Sequence, residues 1–338
     1  MVGFLPPFHL HSTTKQPQPR FGSFEILATN SEFAELRQLA DFVLATAFPH
    51  IPETGEQGYL AMFQEVVTAT AELVAAWTAV GFVHGVLNTD NMSIASLTID
   101  YGPFGFVEAY STSFTPNHSD EESRYDLGSQ AAIGRWNLAK LATALRPLVG
   151  DTRTFDMLLE GYWPAHNAKL LALWRAKLGL VGEEEGDLAM VDKLLAIMEA
   201  VGADFTQTFR DLGEVSLEEL GEGRVPAAAW GLTKCIEHGA MVEWLGGYRA
   251  RVERALTWDL VGDTGRMEAM QATNPRYVLR NWVAQRAIEQ AEGGDHGEVE
   301  FLLQLLQRPF TTSKAAEERG YAGPPPRAAA GLAVSCSS

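Results

Sequence analysis

Apolar side chains recur at the spacing of an amphipathic helix along most of this chain. The longest such run covers residues 58–80 (GYLAMFQEVVTATAELVAAWTAV), with apolar residues at 59, 62, 63, 66, 67, 73, 74, 77 and 80. Because residues three and four positions apart share one helix face, this spacing predicts a long helix with a buried stripe. Gly81 follows at the position of a C-cap glycine and marks the expected end of the helix.

The same periodicity predicts helices through most of the remaining chain. One is expected over 31–48, with Ser31 as its N-cap because serine accepts hydrogen bonds from the first helical amides. Others are expected at 135–149, 152–160, 166–180, 187–211, 226–257, 277–292 and 296–307. Gly246-Gly247 is a candidate break within 226–257. Three tryptophans fall on helical faces that we expect in the core: Trp174, Trp230 and Trp258.

Two short alternating stretches interrupt the helical pattern. Residues 92–94 and 97–99 alternate around two small residues, which predicts two short strands joined by a tight turn. Such a hairpin would bring Asn91 and Asp100 to neighbouring positions at one end. Taken with the helices, this pattern indicates an α+β fold that is mostly α.

Composition restricts the classes of function. The 338 residues carry a formal net charge of −17, so we expect no nucleic-acid and no membrane partner. Residues 4–8 are too short and too rich in proline for a transmembrane helix, and they lack the charged flank of a signal peptide. We therefore expect a cytoplasmic protein. Two cysteines, Cys235 and Cys336, are too few for a disulfide framework, and we expect Cys235 in the core.

The densest chemical signal is a loop that follows the longest predicted helix. Protein kinases carry His-x-Asp-x-x-x-x-Asn and then Asp-Phe-Gly, in which the first Asp orients the substrate hydroxyl and the other two residues hold Mg²⁺. Counting from His84 places Val86 at the usual catalytic position, Asn91 at the metal Asn and Asp100 at the metal Asp. A new carboxylate, Asp90, precedes Asn91. On spacing alone, a turn or helix cap explains this pair as well as a metal site does, and we assign His84 only a packing role.

Longer motifs point to one family. The chain resembles the selenoprotein O (SelO) family over residues 20 to 338, a span of 319 positions. The motifs that carry the resemblance are RFGSFE at 20–25, GFVHGVLNTDNMSI at 81–94, NPRYVLRNWVAQRAIE at 274–289 and VSCSS at 334–338. The family is described as a pseudokinase, and the resemblance implies a protein-kinase-like fold with a C-lobe and a helical C-terminal extension.

The resemblance also implies a reaction. It implies a protein adenylyltransferase that moves AMP from ATP to Ser, Thr or Tyr hydroxyls of protein substrates, with ATP bound in a flipped orientation. Asp90 would accept the proton, Asn91 and Asp100 would bind Mg²⁺ (or Mn²⁺), and Arg20 together with Asp100 would contact the nucleotide. Cys336 stands where eukaryotic members carry selenocysteine and bacterial members usually carry Cys, which implies a bacterial protein and a redox role for this residue. Because Pro116 occupies the position of a partner cysteine in some members, an unpaired tail thiol is an equal alternative.

The beginning of the chain departs from the family. Selenoprotein O chains have an N-lobe with a Gly-rich phosphate loop and a paired Lys, whereas residues 1–19 contain one glycine and one lysine, Lys15. The family places a second phosphate-binding Arg where this chain has Thr13. We therefore expect the N-lobe to be largely missing. The expected domains are a non-family or disordered stretch at 1–19, a C-lobe core at 20–150, a helical region at 151–320 and an extended tail at 321–338.

Two alternatives to AMP transfer remain. The first is a kinase-like phosphotransferase that uses Asp90 as base, although Val86 removes the usual base. The second is a non-catalytic C-lobe that acts as a binding module, since groups expected to hold ATP are absent. Arg276, Arg280 and Asn281 belong to the family motif NPRYVLRN, and we expect them to be structural.

Overall fold

The computed structural model describes residues 19–256, 262–326 and 329. Helices dominate the described chain, and a small two-stranded sheet lies beside the predicted loop. Together these elements confirm an α+β, mostly α fold, whereas the kinase-like architecture and the domain boundaries stay predictions. In the ranges just given, no helix combines the length and the apolar character needed to cross a membrane.

The N-terminal half surrounds one central helix. Its helices are α1 (Phe21–Thr29), α2 (Phe33–Ala47), α3 (Gly55–Val80), α4 (Gln130–Leu145), α5 (Arg153–Leu159) and α6 (Tyr162–Lys177), with 3₁₀ turns at Thr89–Asn91 and Arg146–Leu148. The apolar stripe of α3 is buried along its length, with Met62, Val66 and Val74 almost inaccessible to solvent. Because α2, α4, α5 and α6 pack against α3, and α1 packs on α2 and α4, α3 forms the axis of the first hydrophobic core.

The C-terminal half consists of nine further helices in the described residues. They are α7 (Asp187–Val201), α8 (Phe205–Leu212), α9 (Leu217–Gly221), α10 (Trp230–Ile236), α11 (Gly239–Leu256), α12 (Gly262–Thr273), α13 (Asn281–Glu292), α14 (Gly297–Leu306) and α15 (Lys314–Glu318). A second core forms around Phe205, Phe209 and Trp174, and a third, smaller core lies around Tyr277 and Tyr321.

The sheet frames the predicted catalytic loop. Strand β1 (Phe82–Val83) follows α3 directly and pairs antiparallel with β2 (Gly105–Phe106), with Phe82 opposite Phe106. The loop between these strands contains every residue from His84 to Phe104. Its two ends are therefore held side by side, which limits how far the residues between them can spread.

Several predicted boundaries need correction. The helix predicted over 187–211 is two helices, because Gly202 adopts a left-handed conformation (φ 58°) and Asp204 begins a new helix as its N-cap. The helix predicted over 226–257 breaks at 237–238 instead of Gly246-Gly247. Ser31 is not an N-cap: it lies in the turn between α1 and α2 with φ 60°, and Glu32 is the N-cap of α2.

The predicted hairpin is smaller than expected. A single antiparallel bridge joins Met92 to Thr98, so the two short strands reduce to one pair. The motif RFGSFE forms the start of α1, which the periodicity did not predict. Trp174 is buried as expected, Trp230 is only partly buried, and Trp258 lies outside the described residues.

Candidate active site

The loop begins where α3 ends. Gly81 caps α3 in a left-handed conformation (φ 72°), as predicted, and the chain turns into β1. His84 is buried, donates from Nε2 to the carbonyl oxygen of Ile99 at 2.9 Å, and donates from its backbone N–H to Gln130 at 3.0 Å. Burial lowers the pKa of His84, which favours the neutral ring. His84 is thus packed in the interior, as expected, where it links the start of the loop to Ile99 and to α4.

A 3₁₀ turn presents Asp90 and Asn91 in opposite ways. The side chain of Asn88 accepts a hydrogen bond of 3.0 Å from the backbone N–H of Asp90 and so caps the turn. Thr89 donates to Glu25 of α1 at 2.7 Å, which fastens the turn to the first helix. As a result Asp90 is exposed to solvent, whereas Asn91 is buried.

The amide of Asn91 has a defined orientation. Its Nδ2 atom donates to the carbonyl oxygen of Val86 at 2.8 Å. Because a carbonyl oxygen only accepts, the NH₂ branch must point toward Val86 and the Oδ1 branch must point elsewhere. Oδ1 is therefore the atom of Asn91 that can act as an oxygen ligand.

Asp100 lies in a tight turn. Its φ of 57° is left-handed, a conformation that Asp adopts more readily than most residues, and its carbonyl oxygen accepts from Gly102 N–H at 2.8 Å. Its side chain is 40% exposed. The bridge between Met92 and Thr98 pairs the residue after Asn91 with a residue two positions before Asp100. That these two candidate ligands lie close enough to share a metal stays a prediction.

Arg20 joins the loop from a distant part of the chain. It forms an antiparallel bridge with Ser93, and the next residue, Phe21, donates its N–H to the carbonyl oxygen of Met92 at 3.0 Å. The Nη1 atom of Arg20 donates to the carbonyl oxygen of Asp90 at 3.0 Å and lies 3.9 Å from Oδ2 of Asp100. The structure thus brings Arg20, Asp90 and Asp100 together at the loop, while Asn91 lies buried directly after Asp90.

The sequence did not reveal how closely α1 approaches Asp90. A Cβ atom built on Gly22 would overlap Oδ1 of Asp90, so only glycine at this position leaves room for the observed carboxylate. The glycine of RFGSFE indicates that something approaches the backbone closely at this point. The sequence alone does not show that the approaching residue is Asp90. Gln130, which accepts from His84 and donates to the carbonyl oxygen of Phe82 at 3.0 Å, is a second supporting residue that went unnoticed.

The donor set fits a magnesium ion better than a soft transition metal. Within the described chain, no group of three or more His, Cys, Asp or Glu residues could enclose a metal. Asn91 and Asp100 offer hard oxygen atoms, and Mg²⁺ typically takes one or two protein ligands, with phosphates and water completing its shell. These two residues are therefore suited to a metal that arrives with a nucleotide.

Only one of the two cysteines lies in the described part of the chain. Cys235 is buried in the second core as expected, and burial raises the pKa of its thiol to about 11. A protonated core thiol of this kind is chemically inert. Cys336 lies outside the described residues, so its proposed redox role stays a prediction from the sequence.

Comparison with known proteins assigns a class and then a family. Curated relatives of this chain carry the name protein nucleotidyltransferase, and a family model described as "Protein adenylyltransferase SelO" matches residues 15–307. The chain belongs to this SelO family. The resemblance drawn from the motifs is therefore confirmed.

Named relatives give the extent of the match. Protein nucleotidyltransferase YdiU of Herminiimonas arsenicoxydans is 43% identical over 319 residues, covering 94% of this chain and 61% of that protein. The proteins of the same name from Klebsiella pneumoniae (strain 342) and Thioalkalivibrio sulfidiphilus are 41% and 43% identical, each covering 94% of this chain and 63% of the relative. This chain thus spans about three-fifths of the length of these curated relatives.

Proposed function

We propose that this chain carries the AMP-transfer site of a protein adenylyltransferase, which moves AMP from ATP to a Ser, Thr or Tyr hydroxyl of a protein. The observation that carries the proposal is the contact of Arg20 with both carboxylate-bearing residues of the loop, Asp90 and Asp100. This contact brings a guanidinium beside the residue with an exposed carboxylate, Asp90, and beside one of the two candidate oxygen ligands, Asp100. Those are the groups that phosphate chemistry needs.

Asp90 is suited to handle the attacking hydroxyl. Its exposed carboxylate can accept a hydrogen bond from the hydroxyl and take its proton as the oxygen attacks the α-phosphorus. The new O–P bond forms while the bond from the α-phosphorus to the bridging oxygen breaks, and pyrophosphate leaves with that oxygen. Because catalysis of phosphoryl-type transfer is mainly positioning and electrostatic stabilisation, the main task of Asp90 would be to orient the hydroxyl.

Asn91 and Asp100 are suited to hold the metal, and Arg20 to hold phosphate. A bound Mg²⁺ or Mn²⁺ would neutralise charge on the phosphate oxygens. The planar guanidinium of Arg20 carries five N–H donors, and only its Nη1 atom donates to Asp90. The remaining N–H groups can therefore donate to phosphate oxygens. The half-exposed side chain of Arg20 makes this approach open from solvent.

Incorporation of label from ATP tests the proposal. The full chain is incubated with Mg²⁺ or Mn²⁺ and with ATP labelled at either the α- or the γ-phosphate, beside the variants Asp90→Ala and Asp100→Ala. A matched control is Asp151→Ala, which removes an exposed carboxylate from a surface pair with Arg153. Label from the α-position alone, lost in both loop variants and retained in the control, is the expected result.

Two other outcomes would contradict the proposal. Transfer of γ-label would show a phosphotransferase, the first alternative. Absence of label from either position, in a chain that circular dichroism shows to be folded, would contradict transfer activity and leave the non-catalytic alternative. The labelled residue, found by mass spectrometry, would identify which hydroxyl class the site accepts.

A further inference from the structure

The segment that follows Asp100 is held firmly on its loop side. Phe104 stacks on Phe82, with ring centroids 5.7 Å apart, and β2 pairs with β1 in the next two residues. Val107 N–H then donates to the carbonyl oxygen of Gly81 at 2.8 Å. Only the short turn from Asp100 to Pro103 separates these fixed points from the proposed metal ligand.

The other side of the same segment docks onto α8. Phe205 N–H donates to the carbonyl oxygen of Glu108 at 2.7 Å, and Tyr110 N–H donates to that of Ala203 at 2.8 Å. Ala109 forms an antiparallel bridge with Asp204. Residues 104–110, which we name the post-Asp100 segment, are thus clamped between β1 and the start of α8.

Arg280 sits at the centre of this clamp. It is buried, and its Nη1 and Nη2 atoms donate to the two carboxylate oxygens of Asp204 at 2.6 and 3.0 Å. Nη1 also lies 4.0 Å from Oε1 of Glu108, on the post-Asp100 segment. Asp204 in turn caps α8 by accepting from Gln207 N–H at 2.8 Å. One guanidinium therefore faces a carboxylate from each of the two clamped elements.

The neighbouring residue reinforces this contact. A Cβ atom built on Gly105 would lie 3.3 Å from the side-chain amide of Asn281, so α13 approaches the segment closely at its β2 end as well. Asn281 and Arg280 are consecutive residues of the motif NPRYVLRN. The motif therefore contacts the segment at two points, through β2 and through Glu108.

Charge explains why the clamp depends on Arg280. Without it, the carboxylates of Asp204 and Glu108 would face each other at a largely buried site with no cation between them. Such an arrangement is unfavourable, because unpaired buried charges attract water or move apart. Separation of these groups would pull the post-Asp100 segment away from α8.

We propose that Arg280 is a positioning residue that sets the location of Asp100, by holding the post-Asp100 segment against α8. The inference deepens the proposed function, because it assigns Asp100 a fixed place from which to hold the metal. Arg280 itself contacts neither nucleotide nor metal in this scheme. It acts through Glu108 and Asp204.

The test compares two buried arginines of the same kind. Arg280→Lys and Arg280→Met are set beside Arg251→Lys and Arg251→Met. Arg251 is also buried, pairs with buried Asp187 at 2.7 Å and faces a second carboxylate, Glu184, at 3.3 Å, but these partners lie in the helical region away from the loop. The two arginines match in burial and charge. Asp187 keeps a second partner, Arg175, and Arg251 also donates to two carbonyl oxygens, so exchange is compared only between variants of equal melting temperature.

Hydrogen exchange of the full chain without nucleotide is the first readout. We expect faster exchange at residues 100–110 in the Arg280 variants than in the Arg251 variants of equal melting temperature. The second readout is Mn²⁺ binding in the presence of ATP. Here we expect about tenfold weaker affinity in Arg280→Lys, as removal of an outer-shell support typically gives, and unchanged affinity in Arg251→Lys.

The outcomes separate this inference from the proposed function. Equal exchange at residues 100–110 in the two sets of variants would overturn the positioning role, whether or not the chain transfers AMP. Faster exchange confined to the Arg280 variants would support the clamp even in a chain without transferase activity. Faster exchange with unchanged Mn²⁺ affinity in Arg280→Lys would overturn the link from the clamp to Asp100.

Discussion

The backbone carbonyl oxygen of Asp90 accepts a hydrogen bond of 3.0 Å from the guanidinium of Arg20, seventy positions earlier in the chain. The bond goes to the backbone and leaves the carboxylate of Asp90 free to meet a substrate hydroxyl. It also couples the two groups, because a shift of the Arg20 side chain moves the turn that carries Asp90. The proposed phosphate contact and the proposed proton acceptor therefore form one unit.

Replacement of Arg20 should reduce activity far more than stability. We expect Arg20→Ala to lower AMP incorporation by about 10- to 100-fold, since a charge-assisted hydrogen bond contributes about 1.5–3 kcal/mol. The free energy of unfolding should change by about 1 kcal/mol or less, because the pair with Asp100 is solvent-exposed. Arg20→Lys should restore little, as lysine lacks the planar fork. Labelled-ATP assays and urea titration measure the two quantities.

A surface arginine controls for the loss of charge. Arg153 forms an exposed pair with Asp151, and Arg153→Ala should leave AMP incorporation unchanged. If Arg153→Ala and Arg20→Ala reduced activity equally, the effect would come from net charge and not from the contact with Asp90.

Gly22 should be required for activity because of the space it leaves. A methyl group at this position would displace the carboxylate of Asp90, and we expect Gly22→Ala to lower AMP incorporation by about tenfold or more, since misplacement of a reacting group is costly. Stability should change little, because the atom displaced is the free end of a side chain and alanine favours the helix. Gly247→Ala, in a helix with open space around it, should leave activity unchanged. Wild-type activity in Gly22→Ala would contradict the observed approach of α1 to Asp90.

The sequence predicted the parts of the site that lie within one motif. His84, Asp90, Asn91 and Asp100 could be placed together because their spacing follows a known loop and a short turn joins them. Arg20 could be added only through the family motif, since its contact with Asp90 spans seventy positions. Periodicity carries no information on such long-range approaches.

The helix boundaries show where tertiary packing outweighs local helix propensity. Gly246-Gly247 should weaken a helix, yet α11 runs through both residues. Trp244 and Tyr248 flank the glycines, are buried and stack with centroids 5.0 Å apart, which holds the helix against the second core. At Gly202 the glycine itself marks the end of the helix, but the apolar pattern continues beyond it and so predicts one longer helix.

Two glycines with left-handed backbone should differ in their tolerance of alanine. Gly85 (φ 80°) and Gly182 (φ 71°) both carry the backbone penalty of about 1 kcal/mol that alanine incurs there. A Cβ on Gly85 would also overlap the carbonyl oxygen of Pro103, whereas nothing lies near Gly182. We expect Gly85→Ala to cost a further ~1–3 kcal/mol. Chemical denaturation of both variants measures the difference, and equal losses would show that the loop relaxes around the new methyl group.

Lys177 should make stability depend on pH above neutrality. The side chain is buried against Phe205 and Phe209, with Nζ 4.4 Å from the ring centroid of Phe209, and burial lowers its pKa to about 7. In the unfolded chain the pKa returns to its ordinary value near 10.5. Between these two pH values the unfolded state binds more protons than the folded state, so the contribution of Lys177 to stability increases as pH rises.

Lys177→Met should remove this dependence while keeping an apolar side chain of similar length in the core. We expect the variant to be more stable than the wild type at pH 7, with an advantage that shrinks toward pH 10 by at most about 1.4 kcal/mol per pH unit. The aromatic rings around Nζ favour the ammonium and so reduce the slope below that limit. Urea titrations at pH 7, 8.5 and 10 measure it, with Lys314→Met as the control, because the Lys314 side chain is 92% exposed and should show no such trend. If the difference in free energy of unfolding between the wild type and Lys177→Met stayed constant with pH, the prediction would be wrong. The buried amine would then keep its proton throughout, because the aromatic ring faces stabilise the ammonium more than burial destabilises it.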